Sequence, residues 1–404
     1  MNITSCRVCR SKKLEDVIDL GIQPWGNDMV TKEEVGQEKK YPLVCCFCHD
    51  CSTLQVRYTV PKEIMYANHS YLSGSNKAMP EHFQKIADYI ASNYCTADGS
   101  LAVDIGSNDG TLLRSYQNNK FRVLGVEASA EIADIACRSG IPTIAEYFNK
   151  TIANDIEMSH GKAMVISAAN VFYHVEELHS IVEGVKGLLD DAGVFVVHAS
   201  YLPNLIKDKA FDIMYHEHLL YYRMENLQTL LSMHGLEVFD FSFEQVHGGS
   251  IIVYACHKGS RPVSPKVADL IEKERKDKYH EVEVYKAFNA DIQKLAKNVK
   301  MFLSDLKNQG ATIAAYGAPV KGTVMLNYCG IDERLIDFAA EVNELKVGRY
   351  IPGTGIEIKH ENDCTEPDYY FLLSWNFKEF FIQNREKSGG SSKFIVPIPF
   401  PHVV

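Results

Sequence analysis

The sequence predicts an α/β protein: a doubly wound parallel sheet at the centre, a four-cysteine module before it and a second α/β unit after it. Three observations carry that prediction. An apolar run ends in a glycine-rich turn in LAVDIGSNDG at 101–110. Strand-like and helix-like segments alternate on both sides of it. Two Cys-x-x-Cys pairs lie within the first 51 residues. At 404 residues the chain exceeds the ~100–200 of a usual domain, so two or three domains are expected. The boundaries read as 1–70 for the cysteine module, 71–264 for the central unit, 265–310 for a helical connection and 311–404 for the last unit.

Composition bounds the class. Hydrophobic residues at 46% and charged residues at 23% are those of an ordinary soluble chain. No apolar run approaches the ~20 residues that span a bilayer, and MNITSCRVCRSKK lacks the apolar core of a signal peptide. A cytoplasmic enzyme without a membrane partner is expected, as a monomer or weak dimer. The net charge of −10, without a long Lys/Arg block, argues against a nucleic-acid partner.

In the N-terminal module, Cys6-x-x-Cys9 and Cys48-x-x-Cys51 offer four thiolates, the set that structural zinc prefers. Cys45-x-x-Cys48 has the same spacing, and Cys45 and Cys46 leave the second pair open. Cys48 and Cys51 are favoured because strand-like TLQVRY follows their turn at once. Four thiolates leave no open coordination position, so the zinc is expected to be structural.

The central unit opens with the helical spacing of HFQKIADYIASNY. Val103 to Gly110 then resembles the first motif of class I methyltransferases, which implies a Rossmann-like central domain. Gly106 and Gly110 at a strand-to-helix turn let the backbone approach the methionine part of a cofactor, with Asn108 between them, and Asp104 is expected to orient the loop. About 20 residues on, Val126-Glu127-Ala128 ends the next strand with a carboxylate that can accept both ribose hydroxyls. The turn lacks the three-glycine spacing of pyrophosphate binders, which favours S-adenosyl-L-methionine over a dinucleotide. Asn170 lies in ISAANVFYHV, at the end of the fourth strand, and the resemblance to methyltransferases implies that this strand end presents groups to the reacting methyl.

After the fifth strand, GVFVVHAS, comes Tyr215-His216-Glu217-His218, on the side of the sheet where substrates bind. His247-Gly248-Gly249-Ser250 is a second turn bearing a titratable residue. From Pro265 to Asn308 the chain is strongly polar and periodic, which reads as one or two long solvated helices. Beyond it, ATIAAYGAPVKGTVMLNY, RLIDFAAEVNE and DYYFLLSW repeat the strand, turn and helix pattern. Tyr316 to Gly322 reads as a turn at a helix N-terminus, where backbone N–H groups and Lys321 suit a diphosphate.

Taken together, these motifs resemble the nucleotide-sugar C-methyltransferases that carry a zinc module, a central methyltransferase domain and a C-terminal α/β domain. The resemblance spans almost the whole chain. It rests on the Cys-x-x-Cys pairs, YLSGSN at Tyr71–Asn76, VDIGSNDG, NVFYHV, YHEH, HGGS, YGAPVKG and GRYIPGTGI. The crowded CCFCHDC departs from it, as does Glu341-Val342-Asn343 where the family often has a D-R-S-like segment. The resemblance implies a nucleotide-linked 4-keto-6-deoxyhexose methylated at C-3 through an enolate, for a branched sugar. It implies His218 as the base, with Tyr71, Tyr215 and His174 donating to the enolate or holding hydroxyls. Glu217 is expected to orient the sugar or His218, His247 to close the pocket, and Tyr316, Lys321, Lys346 and Arg349 to lie along the nucleotide. An O- or N-methyltransferase would need no enolate and no His218; a zinc-ribbon RNA or protein methyltransferase would need a basic zinc face, which the chain lacks.

Overall fold

Three sheets carry the chain in a computed structural model, which describes residues 1–404 except 66–71, 76–77, 95–97, 245–248 and 389. The first is an antiparallel ribbon of β1 (Leu14–Pro24), β2 (Lys40–Cys48) and β3 (Leu54–Val56). Its fourth strand, β9 (Leu220–Tyr221), comes from far along the chain and pairs with β3 through Leu54 opposite Tyr221. The cysteine module is thereby completed by residues that directly follow the Tyr215–His218 segment.

The second sheet has seven strands: β4 (Leu101–Ile105), β5 (Arg122–Val126), β6 (Thr143–Ile144), β7 (Ala163–Ala169), β8 (Leu189–Ser200), β10 (Leu236–Glu244) and β11 (Ser250–His257), in the order β10-β11-β8-β7-β4-β5-β6. From β6 to β8 all neighbours are parallel, while β11 is antiparallel to both β8 and β10. Every residue of β4 is buried, as expected of a parallel strand covered on both faces. The chain winds from β4 outward to β6 and returns to the other side of β4 at β7, so the order reverses between β4 and β7. A crevice opens there beyond the carboxyl ends of the strands.

The third sheet comprises β12 (Ile313–Tyr316), β13 (Ala339–Glu341), β14 (Ile358–His360), β15 (Tyr369–Leu372), β16 (Lys393–Val396) and β17 (His402–Val403), ordered β14-β13-β12-β15-β16-β17. Its parallel part repeats the winding of the central sheet, third-second-first-fourth-fifth, and has its own crevice between β12 and β15.

Two helices, Pro265–Lys276 and Val282–Asn308, join the second sheet to the third. The expectation of solvated helices is corrected for the longer one. Tyr285, Phe288, Ile292, Leu295, Val299 and Leu303 recur at helical spacing and are buried in one core with Val17, Leu20 and Leu43 of the ribbon and Ile313 and Phe371 of the third sheet. Its polar residues cover only the outer face. No helix among the described residues is long and apolar enough to cross a membrane.

Candidate active site and metal centre

In the ribbon, Cys6, Cys9, Cys48 and Cys51 bring their sulfurs within 4.8 Å of one another, the one such group of metal-binding type among the described residues. Cys6 lies 3.6 Å from Cys51 and Cys9 3.5 Å from Cys48. Those separations are far beyond the ~2.05 Å of a disulfide and near the ~3.8 Å edge of a tetrahedron with 2.3 Å zinc–sulfur bonds. Hydrogen bonding from Cys51 and Cys6 drives the Cys48 thiol far below its ordinary range, while Cys51 is driven up by the same contact with Cys48. Such a cluster gathers negative charge that a divalent ion neutralises. Gln55 Nε2 donates to Cys6 Sγ at 3.2 Å, and half-buried Arg7 donates to the Val56 carbonyl at 2.7 Å, adding a positive charge beside the sulfurs. Cys45 and Cys46 point elsewhere: burial raises both thiols, Cys46 to about 12, and Cys45 packs in the apolar core.

At the central crevice, Gly106 has φ +66°, and a Cβ there would stand 2.6 Å from Val171 Cγ2. Asn108 and Asn170 are both left-handed, at φ 50° and 57°, a conformation that Asn tolerates. Gly110 sits at the N-cap of helix Thr111–Asn118 with φ 80°. Glu127 follows β5 and accepts the Asn108 N–H on Oε2 and the Ser129 N–H on Oε1, both at 2.9 Å; Ala128 lies in the bend between them. Asp104, expected to orient the loop, instead accepts the Ser167 hydroxyl at 2.5 Å and so ties β4 to β7 beneath the crevice. Burial pushes its carboxyl up to about 7. Above the loop, the Ser73 N–H bonds to Asn108 Oδ1 at 2.8 Å and the Gly74 N–H to Asp109 Oδ2 at 2.7 Å, so the middle of YLSGSN lies over the turn. Tyr71 and His247 fall outside the described residues.

The Tyr215–His218 segment is a turn, closed by the His218 N–H on the Tyr215 carbonyl at 2.9 Å, so the alternation of an extended strand does not apply. The turn separates the two histidines. His216 is buried against Tyr41, with a ring separation of 5.9 Å, and burial lowers its pKa to about 4. His218 meets the rings of Tyr215 at 3.8 Å, Tyr173 at 4.5 Å and His174 at 5.1 Å. Its Nδ1 lies 2.8 Å from the Ile213 carbonyl, which accepts only from a protonated Nδ1 and, in the neutral ring, therefore puts the lone pair on Nε2. Glu217, fully buried, turns away from His218: its Oε1 accepts Trp25 Nε1–H at 2.8 Å and Asn27 Nδ2–H at 2.9 Å. Burial raises its carboxyl.

In the third sheet, Lys321 stands in the first turn of helix Val320–Cys329, donates to Asn376 Oδ1 and lies 4.5 Å over the Trp375 ring. Burial lowers it to about 8 against the opposing pull of Asp212. Lys346 Nζ donates to the Ala318 carbonyl at 2.9 Å, whereas exposed Arg349 reaches the Met29 carbonyl at 3.2 Å. The Tyr316 ring packs among Tyr370, Phe381 and Phe394. The helix start meets the cysteine module directly: a Cβ on Gly26 would lie 2.8 Å from Val320 Cγ1, and Thr323 Oγ1 donates to the Gly26 carbonyl at 3.2 Å.

Sequence reading missed Trp25, Asn27, Tyr173, Asp212, Trp375 and the role of Glu341. Only Glu341 had a local signal. It is the last residue of β13, as Glu127 comes directly after β5, and accepts the Ala318 N–H at 2.9 Å and the Val342 N–H at 2.8 Å, a similar grip on the preceding turn.

Three family models match this chain in order: "Putative zinc binding domain" over residues 6–66, "Methyltransferase domain" over 77–240 and "C-methyltransferase C-terminal domain" over 245–399. The C-methyltransferase NovU of Streptomyces niveus is 32% identical over 409 aligned residues, covering 100% of this chain and 97% of that protein. Among solved structures, an S-adenosylmethionine-dependent methyltransferase from Clostridium acetobutylicum ATCC 824 is 12% identical over 49% of this chain and 96% of its own, with a TM-score of 0.35. The magnesium protoporphyrin IX methyltransferase ChlM from Synechocystis PCC 6803 is 14% identical over 44% and 79%, with a TM-score of 0.33. At that distance neither structure bears on function.

Proposed function

Because this chain belongs to the family of zinc-binding, S-adenosylmethionine-dependent C-methyltransferases, we propose that it methylates C-3 of a nucleotide-linked 4-keto-6-deoxyhexose, in the cytoplasm, on the way to a branched sugar. The observation that carries this reading is His218, ringed by Tyr215, Tyr173 and His174 with its Nδ1 held by the Ile213 carbonyl. A C–H beside a ketone is removed only where a base is aimed at it and the enolate oxygen is stabilised.

When bound, S-adenosylmethionine supplies an electrophilic methyl on a sulfonium sulfur. The Gly106–Gly110 turn would receive its methionine part, with Asn170 and Ala128 at the rim, and Glu127 would accept the ribose hydroxyls while keeping its two backbone bonds. His218 Nε2 takes the C-3 proton, the C–H electron pair moves into the enolate, and Tyr71, Tyr215 and His174 donate to the oxygen at C-4 or hold neighbouring hydroxyls. The enolate carbon is the nucleophile that the cofactor's methyl would alkylate at C-3, and the imidazolium of His218 returns its proton to solvent. Glu217 keeps Oε1 on Trp25 and Asn27 and has Oε2 for a sugar hydroxyl.

The nucleotide is assigned to the 316–322 turn, with Lys321, Lys346 and Arg349 as candidates for the diphosphate and Tyr316 and His247 as further candidate contacts. Glu341 stands where doubly wound sheets present a carboxylate to a ribose. A ribonucleotide offers it two hydroxyls and a deoxyribonucleotide one.

Mass spectrometry of TDP- and GDP-linked 4-keto-6-deoxyhexoses incubated with enzyme and labelled S-adenosylmethionine tests the reading. A gain of one methyl in one series, with exchange of the C-3 proton in deuterated water, is expected. No gain in either series removes the sugar reading.

A further inference from the structure

The chain has two tryptophans, and both indole N–H groups are held by buried carboxylates, one within the Tyr215–His218 turn and one just before it. Trp25 of the cysteine module donates to Glu217 at 2.8 Å, and Trp375, just beyond β15, donates to Asp212 Oδ2 at 2.7 Å. Asp212 has no exposed surface, and its Oδ1 has no hydrogen-bond partner. An aspartate is retained in such surroundings at a desolvation cost of several kcal/mol, so its position needs a reason. Asp212 is the middle residue of the single helical turn Phe211–Ile213, and the carbonyl of Ile213 is the one that holds His218 Nδ1 at 2.8 Å.

We propose that Asp212, gripped by Trp375, is a positioning residue for the proton-abstracting histidine: it fixes the 211–213 turn, and the Ile213 carbonyl then selects the tautomer with its lone pair on Nε2. Lys321 extends the same chain of contacts, since it lies 4.5 Å over the Trp375 ring, in the first turn of the helix that faces the expected diphosphate. Lys321, Trp375, Asp212, Ile213 and His218 thus form one buried connection from the third sheet to the base. The inference rests on the reading of His218 as the base, but its test does not.

Full-length, zinc-loaded protein labelled with 15N-histidine reports the His218 tautomer directly by long-range 1H–15N correlation, with His218→Gln providing the assignment. In the parent protein the Nδ1–H form is expected alone. Trp375→Phe keeps a ring under Lys321 but removes the indole donor, and mixed His218 tautomers are expected, with kcat on the methyl acceptor lowered about tenfold, the scale of one hydrogen bond. S-adenosylmethionine affinity should stay as it was. Asp212→Asn still accepts the indole N–H and should keep the single tautomer, whereas Asp212→Leu, of similar bulk but with no acceptor, should give mixed tautomers; a merely space-filling role predicts a single tautomer in both. An unchanged Nδ1–H tautomer in Trp375→Phe overturns the proposal. If no ketohexose is methylated by the parent protein, the sugar reading fails while the tautomer result still decides the role of Asp212.

Discussion

Burial decides which of two histidines, two positions apart, is fit to move a proton. His216 is packed against Tyr41 and held neutral far below its ordinary range, whereas His218 has a hydrogen-bonded Nδ1 and three polar rings around it. Loss of a positioned base costs ~10²–10⁴-fold in rate. His218→Ala should therefore lower kcat by that order with S-adenosylmethionine affinity nearly unchanged, while His216→Ala affects kcat less; steady-state kinetics beside calorimetric titration separates the two. Retained C-3 proton exchange in His218→Ala would move the base role to Tyr215 or His174. His216 should instead mark stability against pH. Its folded pKa, about 4, lies below the ordinary 6.5, so its contribution is complete above pH 6.5 and is lost as pH falls towards 4, by about 3 kcal/mol. Urea unfolding of His216→Phe beside the parent at pH 7 and pH 4.5 should show the smaller acid loss in the variant, since loss of zinc in acid is common to both. Glu127→Ala should weaken S-adenosylmethionine by roughly 1.5–3 kcal/mol, the range for a hydrogen bond to a charged group, and an unchanged calorimetric Kd would remove Glu127 from that site.

Elements that carry their own period or turn chemistry were legible in the sequence, and those completed by distant residues were not. The run from Leu101 to Gly110 announces both its strand and its turn, because a doubly buried strand is continuously apolar and a left-handed turn calls for Gly or Asn. Nothing local in Leu220–Tyr221 says that it will pair with Leu54, and nothing in Asp212 says that it will meet Trp375; those facts exist only once separate sheets dock. The helix Val282–Asn308 shows the same limit from the other side. Its charged residues suggested a solvated connector, yet its apolar stripe closes the core between ribbon and third sheet. Ile292, fully buried on that stripe, should cost about 2–5 kcal/mol when changed to Ala. Exposed Lys294→Ala, one turn face away, should stay within ~0.5 kcal/mol. Equal thermal shifts for the two would mean that the helix is a spacer after all.

At the scale of the molecule, the cysteine module and the third sheet both reach the 212–218 segment that carries His218, while the glycine-rich turn and Glu127 stand on the central sheet with Ser73 and Gly74 over the turn. Trp25 and Asn27 reach Glu217, β3 binds the strand that follows the turn, and the Asn226 side chain donates to the Cys51 carbonyl at 2.8 Å. The Gly106 turn, Glu127 and Asn170 depend on β4, β5 and β7, none of which touches the ribbon as a sheet partner. On the proposed reading, zinc would support the acceptor side of the site at a distance, and a closed four-thiolate set would leave it no part in the reaction itself. Because structural zinc contributes folding free energy outright, its removal should release the ribbon first. Chelation under reducing conditions, or Cys48→Ser, is expected to abolish methyl transfer and lower the thermal midpoint, yet leave S-adenosylmethionine binding within about threefold, a change of under ~0.7 kcal/mol. Cys45→Ser should keep one equivalent of zinc by elemental analysis. The contrast is what makes the test sharp: if cofactor affinity collapses together with zinc content, the ribbon and the central sheet fold as one unit, and if turnover survives without zinc, the contacts from Trp25 and Asn27 do not hold the turn.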